Sequence, residues 1–279
     1  MGLGGRGKGE GGREKGEKVF RGVEAGVRHT TTVQSWRTVV LLAIACASTF
    51  ACSGSEAVSS RRSEPVEIGR LRTEADRGDA TAQHTLAIRY FTGDGVPQDF
   101  REAASLIRRA ADHRLAAAES DLGELYKTGL GVSVDYEQSV AWFRAAAEQG
   151  SALAQYNLGL AYRDGQGVAW NSAYAAAWFR KAAEQGDRDA QYALGSALLT
   201  GVGVQEDHAA AADWFRKSAE QGLTQAQYML ALQYARGDGV ARDTGTALHW
   251  LDLASANSTR QRHQKYAVAR DTVATGGTP

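Results

Sequence analysis

Gly165-Gln166-Gly167-Val168 is followed three residues later by Asn171. The same pattern returns as Gly93-Asp94-Gly95-Val96 with Asp99, Gly129-Leu130-Gly131-Val132 with Asp135, Gly201-Val202-Gly203-Val204 with Asp207, and Gly237-Asp238-Gly239-Val240 with Asp243. The five tetrads stand 36 residues apart, with no insertion or deletion between copies. A fixed period of this size marks an array of supersecondary units, each burying its apolar face against the next.

Aligned on the tetrads, the units are 79–114, 115–150, 151–186, 187–222 and 223–258. Ahead of each tetrad, Ala, Leu and Tyr step by four, as Ala82, Leu86, Tyr90 and Ala154, Leu158, Tyr162. That spacing places them on one helical face. Beside the Leu stands a small residue (Ala87, Gly123, Gly159, Gly195 or Ala231) that lets the paired helix approach closely. The tetrad breaks the helix because glycine reaches positive φ without steric cost. The Asp or Asn that follows suits the N-cap of a second helix, and Glu102 and Gln138 fall where a capping box would place them. One carboxylate per unit cannot supply the six or more oxygens that calcium takes, so capping is the better reading of this Asp ladder.

The second helix carries Trp142-Phe143, Trp178-Phe179, Trp214-Phe215 and Trp250-Leu251, with Leu106-Ile107 in the first unit. These pairs read as core, and units two to four close on Gly150, Gly186 and Gly222, which suit the position just past a helix end. Residues 67–78 match only a second helix, as an N-terminal cap. Arg260–Ala274 reads as a polar closing helix with Tyr266 and Val268 inward. The expected fold is all-α: an α/α superhelical solenoid of five 36-residue helix-turn-helix repeats over 67–258, a terminal capping helix, and a polar C-terminal stretch, 259–279.

The chain has 32 basic and 32 acidic residues, distributed unevenly. Residues 1–37 hold 8 Lys/Arg against 4 Asp/Glu, which leaves 24 basic and 28 acidic residues beyond them, a net of −4. A mildly acidic body lacks the basic face of a nucleic-acid binder. The two cysteines, Cys46 and Cys52, both precede the repeats, which therefore have neither disulfides nor thiolates for zinc.

Residues 38–52 form an apolar segment too short to span a bilayer stably, with a basic residue before it and small residues after it, as in an export signal. Ala51-Cys52-Ser53-Gly54-Ser55 resembles a bacterial lipoprotein cleavage site, with Cys52 as the lipidated residue. Thr49 stands where that pattern prefers Leu, and Cys46 is a competing site. A plain secretory signal cut near Ala51 and an uncleaved anchor are the alternatives. Residues 1–37 form a long basic, Gly-rich leader consistent with a start codon placed too far upstream. Residues 53–66 read as a linker.

Taken together, Ala154-Gln155-Tyr156-Asn157-Leu158-Gly159, the Gly-x-Gly-Val-x-x-Asp pattern and Trp178-Phe179 followed by Ala182-Ala183-Glu184-Gln185-Gly186 closely resemble the Sel1-like repeat, a relative of the tetratricopeptide repeat. The resemblance covers about 67–258. It implies a superhelix whose first helices line a concave groove, and a role as an adaptor that holds partners together. Groove positions then fall on His84, Ser120, Tyr156, Tyr192 and Tyr228; on Ile88, Glu124, Leu160, Ser196 and Leu232; and on Phe91, Lys127, Arg163, Leu199 and Ala235. The candidate partner-binding residues are Tyr156, Tyr192, Tyr228, Glu124, Lys127, Leu160 and Arg163. The Tyr row reads equally as consensus packing. A cysteine-rich secreted branch of the family is linked to β-lactam binding, and the missing repeat cysteines argue against carrying that hydrolase activity over.

The tetrads lack the preceding strand and third Gly of a dinucleotide site and the Gly-Lys-Ser/Thr of a phosphate loop. His29, His84, His113, His208, His249 and His263 show no metal-ligand spacing. The expectation is a monomeric, non-catalytic envelope scaffold with a protein or peptide partner, no cofactor, no nucleic acid, and membrane contact only through its N-terminus. A peptidoglycan or carbohydrate binder, with the Tyr rows and Trp170 as stacking platforms, is one alternative. A structural assembly factor docking by its convex face or its ends is another.

Overall fold

The computed structural model describes residues 64–277 apart from 257 and 259, so the leader, the apolar segment and Cys52 lie outside the described residues. The described residues form twelve helices and no strand: α1 Glu64–Asp76, α2 Ala80–Thr92, α3 Phe100–Asp112, α4 Ala116–Thr128, α5 Tyr136–Glu148, α6 Ala152–Asp164, α7 Ser172–Glu184, α8 Arg188–Thr200, α9 His208–Glu220, α10 Thr224–Arg236, α11 Thr244–Ala256 and α12 Arg260–Ala274. Each helix packs on the next in sequence, so the core is a continuous seam, as in an all-α solenoid. The α1 helix stands 36 residues before α3, in second-helix register. The α12 helix begins 36 residues after α10, in first-helix register. Among the described residues the array therefore shows five whole units between two half-units, and α1 begins at Glu64 rather than at residue 67.

The tetrads end each first helix. Gly93, Gly129, Gly165, Gly201 and Gly237 are left-handed C-caps at φ 67–79°. The second glycine of each tetrad also has positive φ, and in units two to five it has a further constraint. A methyl group on Gly167 would stand 2.0 Å from the Tyr136 carbonyl oxygen, and one on Gly131, Gly203 or Gly239 would meet the carbonyl of Phe100, Ser172 or His208. Here the loop of one unit rests directly on the main chain that opens the previous unit's second helix.

All five expected N-caps form. The side chains of Asp99, Asp135, Asn171, Asp207 and Asp243 accept hydrogen bonds from main-chain amides of the following turn. The capping box is a correction: the amides of Asp99 and Asp135 donate to the carbonyls of Tyr90 and Tyr126, not to Glu102 and Gln138. That bond recurs in every unit and fixes the return of the second helix onto the first.

Phe143, Phe179 and Phe215 are fully buried, each contributing roughly 1.5–3 kcal/mol. Their Trp neighbours are only half-buried, which corrects the reading of both aromatics as core. The Lys181 and Lys217 ammoniums lie 3.9 Å above the Trp178 and Trp214 rings, a favourable cation–π placement. At the C-terminal end Tyr266 is buried as expected, but Val268 is 60% exposed, and Ala269 and Val273 are the residues that join it in the core.

A buried glutamine ties four of the junctions along the array. The side-chain amides of Gln83, Gln155, Gln191 and Gln227 donate to the carbonyls of Ala75, Ala147, Ala183 and Ala219 on the preceding second helix. Unit two has Glu119 at this position.

Candidate functional site

The first-helix face is built from residues two before, two after and five after the core Leu of α2, α4, α6, α8 and α10. In the first row, Tyr156 leans on Phe179 and Tyr192 on Phe215, at ring separations of 5.8 and 5.7 Å. Each Tyr is half-buried against its own unit's Phe and keeps the rest of its surface outward. Tyr228 differs, because Tyr266 of α12 packs 5.0 Å from its ring and the Lys265 ammonium sits 4.6 Å above it.

At the other end, the same row forms internal ties. His84 Nε2 lies 2.6 Å from Asp121 Oδ2, joining α2 to α4, and burial pushes the Asp121 carboxyl up against the opposing pull of that hydrogen bond. The Ser120 hydroxyl lies 3.1 Å from that of Ser151, which caps α6.

In the second and third rows, Glu124 pairs with Lys127 at 2.6 Å, and Arg163 forks onto Asp164 at 2.7 and 2.9 Å. Leu160 packs at the edge of the core cluster that also takes Tyr156, Tyr192 and Leu199. Ser120, Phe91 and Ala235, expected in the groove, are buried instead. Phe91 packs on Phe100, and Ala235 packs under α11 and α12. The face therefore brings Tyr156, Leu160, Tyr192 and Leu199 onto one cluster, and its charges are already paired locally.

Behind this face runs a ladder that the repeat pattern alone did not single out. Arg72, Arg144 and Arg216 donate to the hydroxyls of Tyr90, Tyr162 and Tyr234, each 18 residues on. Arg108 instead lies over the ring of Tyr126. The recurrence of Arg at this one position in successive second helices was the available signal. His208 bridges units four and five, with Nε2 2.7 Å from Glu206 and Nδ1 on Asp238. Both carboxylates, Asp238 foremost, raise its pKa. Among the described residues, no group of His, Cys, Asp and Glu is placed to hold a metal ion, and no helix is long and apolar enough to cross a membrane.

The molecule is thus an all-α helical-repeat protein. The Sel1 repeat model matches residues 80–114, 116–151, 152–187, 188–223 and 224–258, and the chain belongs to the Sel1 repeat family. Among solved structures it is similar to a protective antigen of uropathogenic Escherichia coli strains displaying an SLR fold, at 34% identity and a TM-score of 0.69, over 76% of this chain and 45% of that one. It is also similar to a Sel1 repeat protein from Oxalobacter formigenes, at 33% identity and a TM-score of 0.65, over 72% of this chain and 59% of the other. The chain thus spans about half the length of these two structures. No curated protein matches it. Sel1 repeats are protein-interaction modules, and solenoids of this family are typically non-catalytic.

Proposed function

We propose that the protein is a non-catalytic scaffold of the bacterial cell envelope that offers its first-helix face to a protein or peptide segment. The observation that carries this reading is positional. Core positions repeat faithfully, whereas the second row changes from Ile88 to Glu124, Leu160, Ser196 and Leu232 while staying partly open to solvent. Residues that break a repeat without being needed for its packing are available for recognition, and Tyr and Arg are favoured interface anchors. Tyr156, Tyr192, Leu160 and Arg163 form the centre of the proposed contact. Glu124 and Lys127 flank it as a polar pair, and Tyr228 lies at its C-terminal end.

The apolar segment 38–52 exports the chain, and lipid on Cys52 holds it at a membrane. Alanine at Tyr192 and Arg163 should leave the circular dichroism unchanged and abolish capture of the partner from native envelopes; undiminished capture would refute the first-helix face. Cys52→Ser should release the protein from the membrane fraction, and continued membrane association would refute lipidation there.

A further inference from the structure

Seven large apolar side chains are exposed among the described residues, and six of them lie on one edge of the solenoid. Val66 (75% exposed) is in the first turn of α1, Val134 and Trp170 (65%) occupy the same repeat position just before the N-cap, Tyr136 and Tyr174 are in the first turns of α5 and α7, and Val202 is inside the fourth tetrad. Every first helix ends on this edge and every second helix begins there. Five of the six are linked through the main chain, because the third tetrad rests on Tyr136 and the fourth on Ser172. Tyr174 also stacks on Tyr162 at 5.3 Å, extending the aromatic surface toward the end of α6. Core burial does not account for this row, since the other units carry Gln98, Glu206 and Arg242 at the Trp170 position.

The same edge is where the chain enters the solenoid. Ile68, in the second turn of α1, packs against Gly95 of the first tetrad, so Glu64 opens α1 on the tetrad side. Upstream of it lies the apolar stretch 38–52, and the twelve residues from Cys52 to Glu64 can reach at most about 40 Å. Exposed Trp and Tyr side chains in one row have the composition of a membrane–water interface.

We propose that the tetrad edge lies against the surface of a zwitterionic bilayer, seated by Trp170, Tyr136 and Tyr174, so that the solenoid stands on its loops with the first-helix face at its flank. Zwitterionic lipid is specified because exposed carboxylates on this edge, Glu137, Asp94 (paired with Arg89) and Glu206 (paired with His208) among them, outnumber the exposed Arg101 and Arg242, an excess that repels an anionic surface. The proposal rests on the reading of residues 38–52 as the membrane tether.

The test uses the full chain in phosphatidylcholine vesicles containing doxyl-labelled lipid, comparing tryptophan quenching in the wild type, in Trp170→Phe, and in a Val134→Asp/Val202→Asp variant that keeps Trp170. All three should float with the vesicles. The wild type should show a quenched component that is lost in Trp170→Phe and reduced in the double variant. Flotation with equal quenching in wild type and Trp170→Phe would overturn the edge while leaving the tether intact, and failure to float would overturn both. A dimer formed without vesicles and abolished by the double aspartate variant would show that the edge meets a second copy, which also overturns the proposal.

Discussion

A methyl group on Gly159 would stand 2.6 Å from the ring of Phe179. The same relationship holds between Gly123 and Phe143 and between Gly195 and Phe215. Where the second helix carries Ile107 or Leu251 instead, the facing residue is Ala87 or Ala231. Ring and glycine are therefore complementary halves of one contact. Gly159→Ala should destabilise the protein by about 1–3 kcal/mol through overpacking, despite a helix-propensity gain of up to about 1 kcal/mol. Adding Phe179→Leu should restore part of the loss, so that urea unfolding shows the double variant to be more stable than the sum of the single effects. Strict additivity would refute the pairing.

The two classes of positive-φ glycine should respond differently to alanine. Gly186, at φ 92°, has nothing within 4 Å of an added methyl group, so Gly186→Ala should cost only the backbone penalty of about 1–2 kcal/mol. Gly167→Ala adds a clash with the Tyr136 carbonyl and should cost clearly more. Equal midpoints in a denaturant titration would show that the loop yields freely.

Arg114 is the non-glycine residue with positive φ among the described residues, at 62°, where units two to four place glycine. Arg114→Gly should stabilise the protein by about 1 kcal/mol, the left-handed strain relieved less part of the glycine entropy cost. A lowered melting temperature would contradict this.

Glu119 replaces the glutamine that elsewhere donates to the preceding second helix, and its carboxyl is buried. Burial raises its pKa, opposed by the hydrogen bond from Gln149. A carboxyl raised in the folded state contributes stability below its unfolded value and loses it as pH rises through the folded value. Glu119→Gln should therefore gain on the wild type as pH rises through that window, by about 1 kcal/mol at neutral pH if the donated bond to the Ala111 carbonyl forms. A stability difference independent of pH would refute the buried-carboxyl account.

Tetrad spacing and the Ala-Leu-Tyr step predict all ten repeat helices, because both are local consequences of glycine at positive φ and of helical periodicity. The capping role of Asp99 and its counterparts was legible for the same reason. Contacts decided between units were less so. Nothing in the tetrad sequence reveals that its second glycine meets a carbonyl from the preceding unit. Trp178 and Phe179 are adjacent in sequence and similar in hydrophobicity, but a helix turns them about 100° apart, toward a lysine and toward the core. Val268 failed for want of a partner. Periodicity alone does not say which face of α12 meets α11, and the core takes Ala269 and Val273 instead. Of the expected groove positions, Tyr156, Leu160, Tyr192 and Leu199 share one cluster, as their common register implies. The burial of Phe91 and Ala235 was not legible, because α3 and the terminal helices cover them.

The contact of each tetrad's second glycine with the preceding carbonyl has an architectural consequence. In units two to five the step from one unit to the next is gauged by backbone against backbone, with no side chain interposed. Substitutions on either helix face can change what the surface recognises without altering the pitch. The array behaves as a ruler whose graduations are fixed in the main chain, leaving the markings beside them free to change.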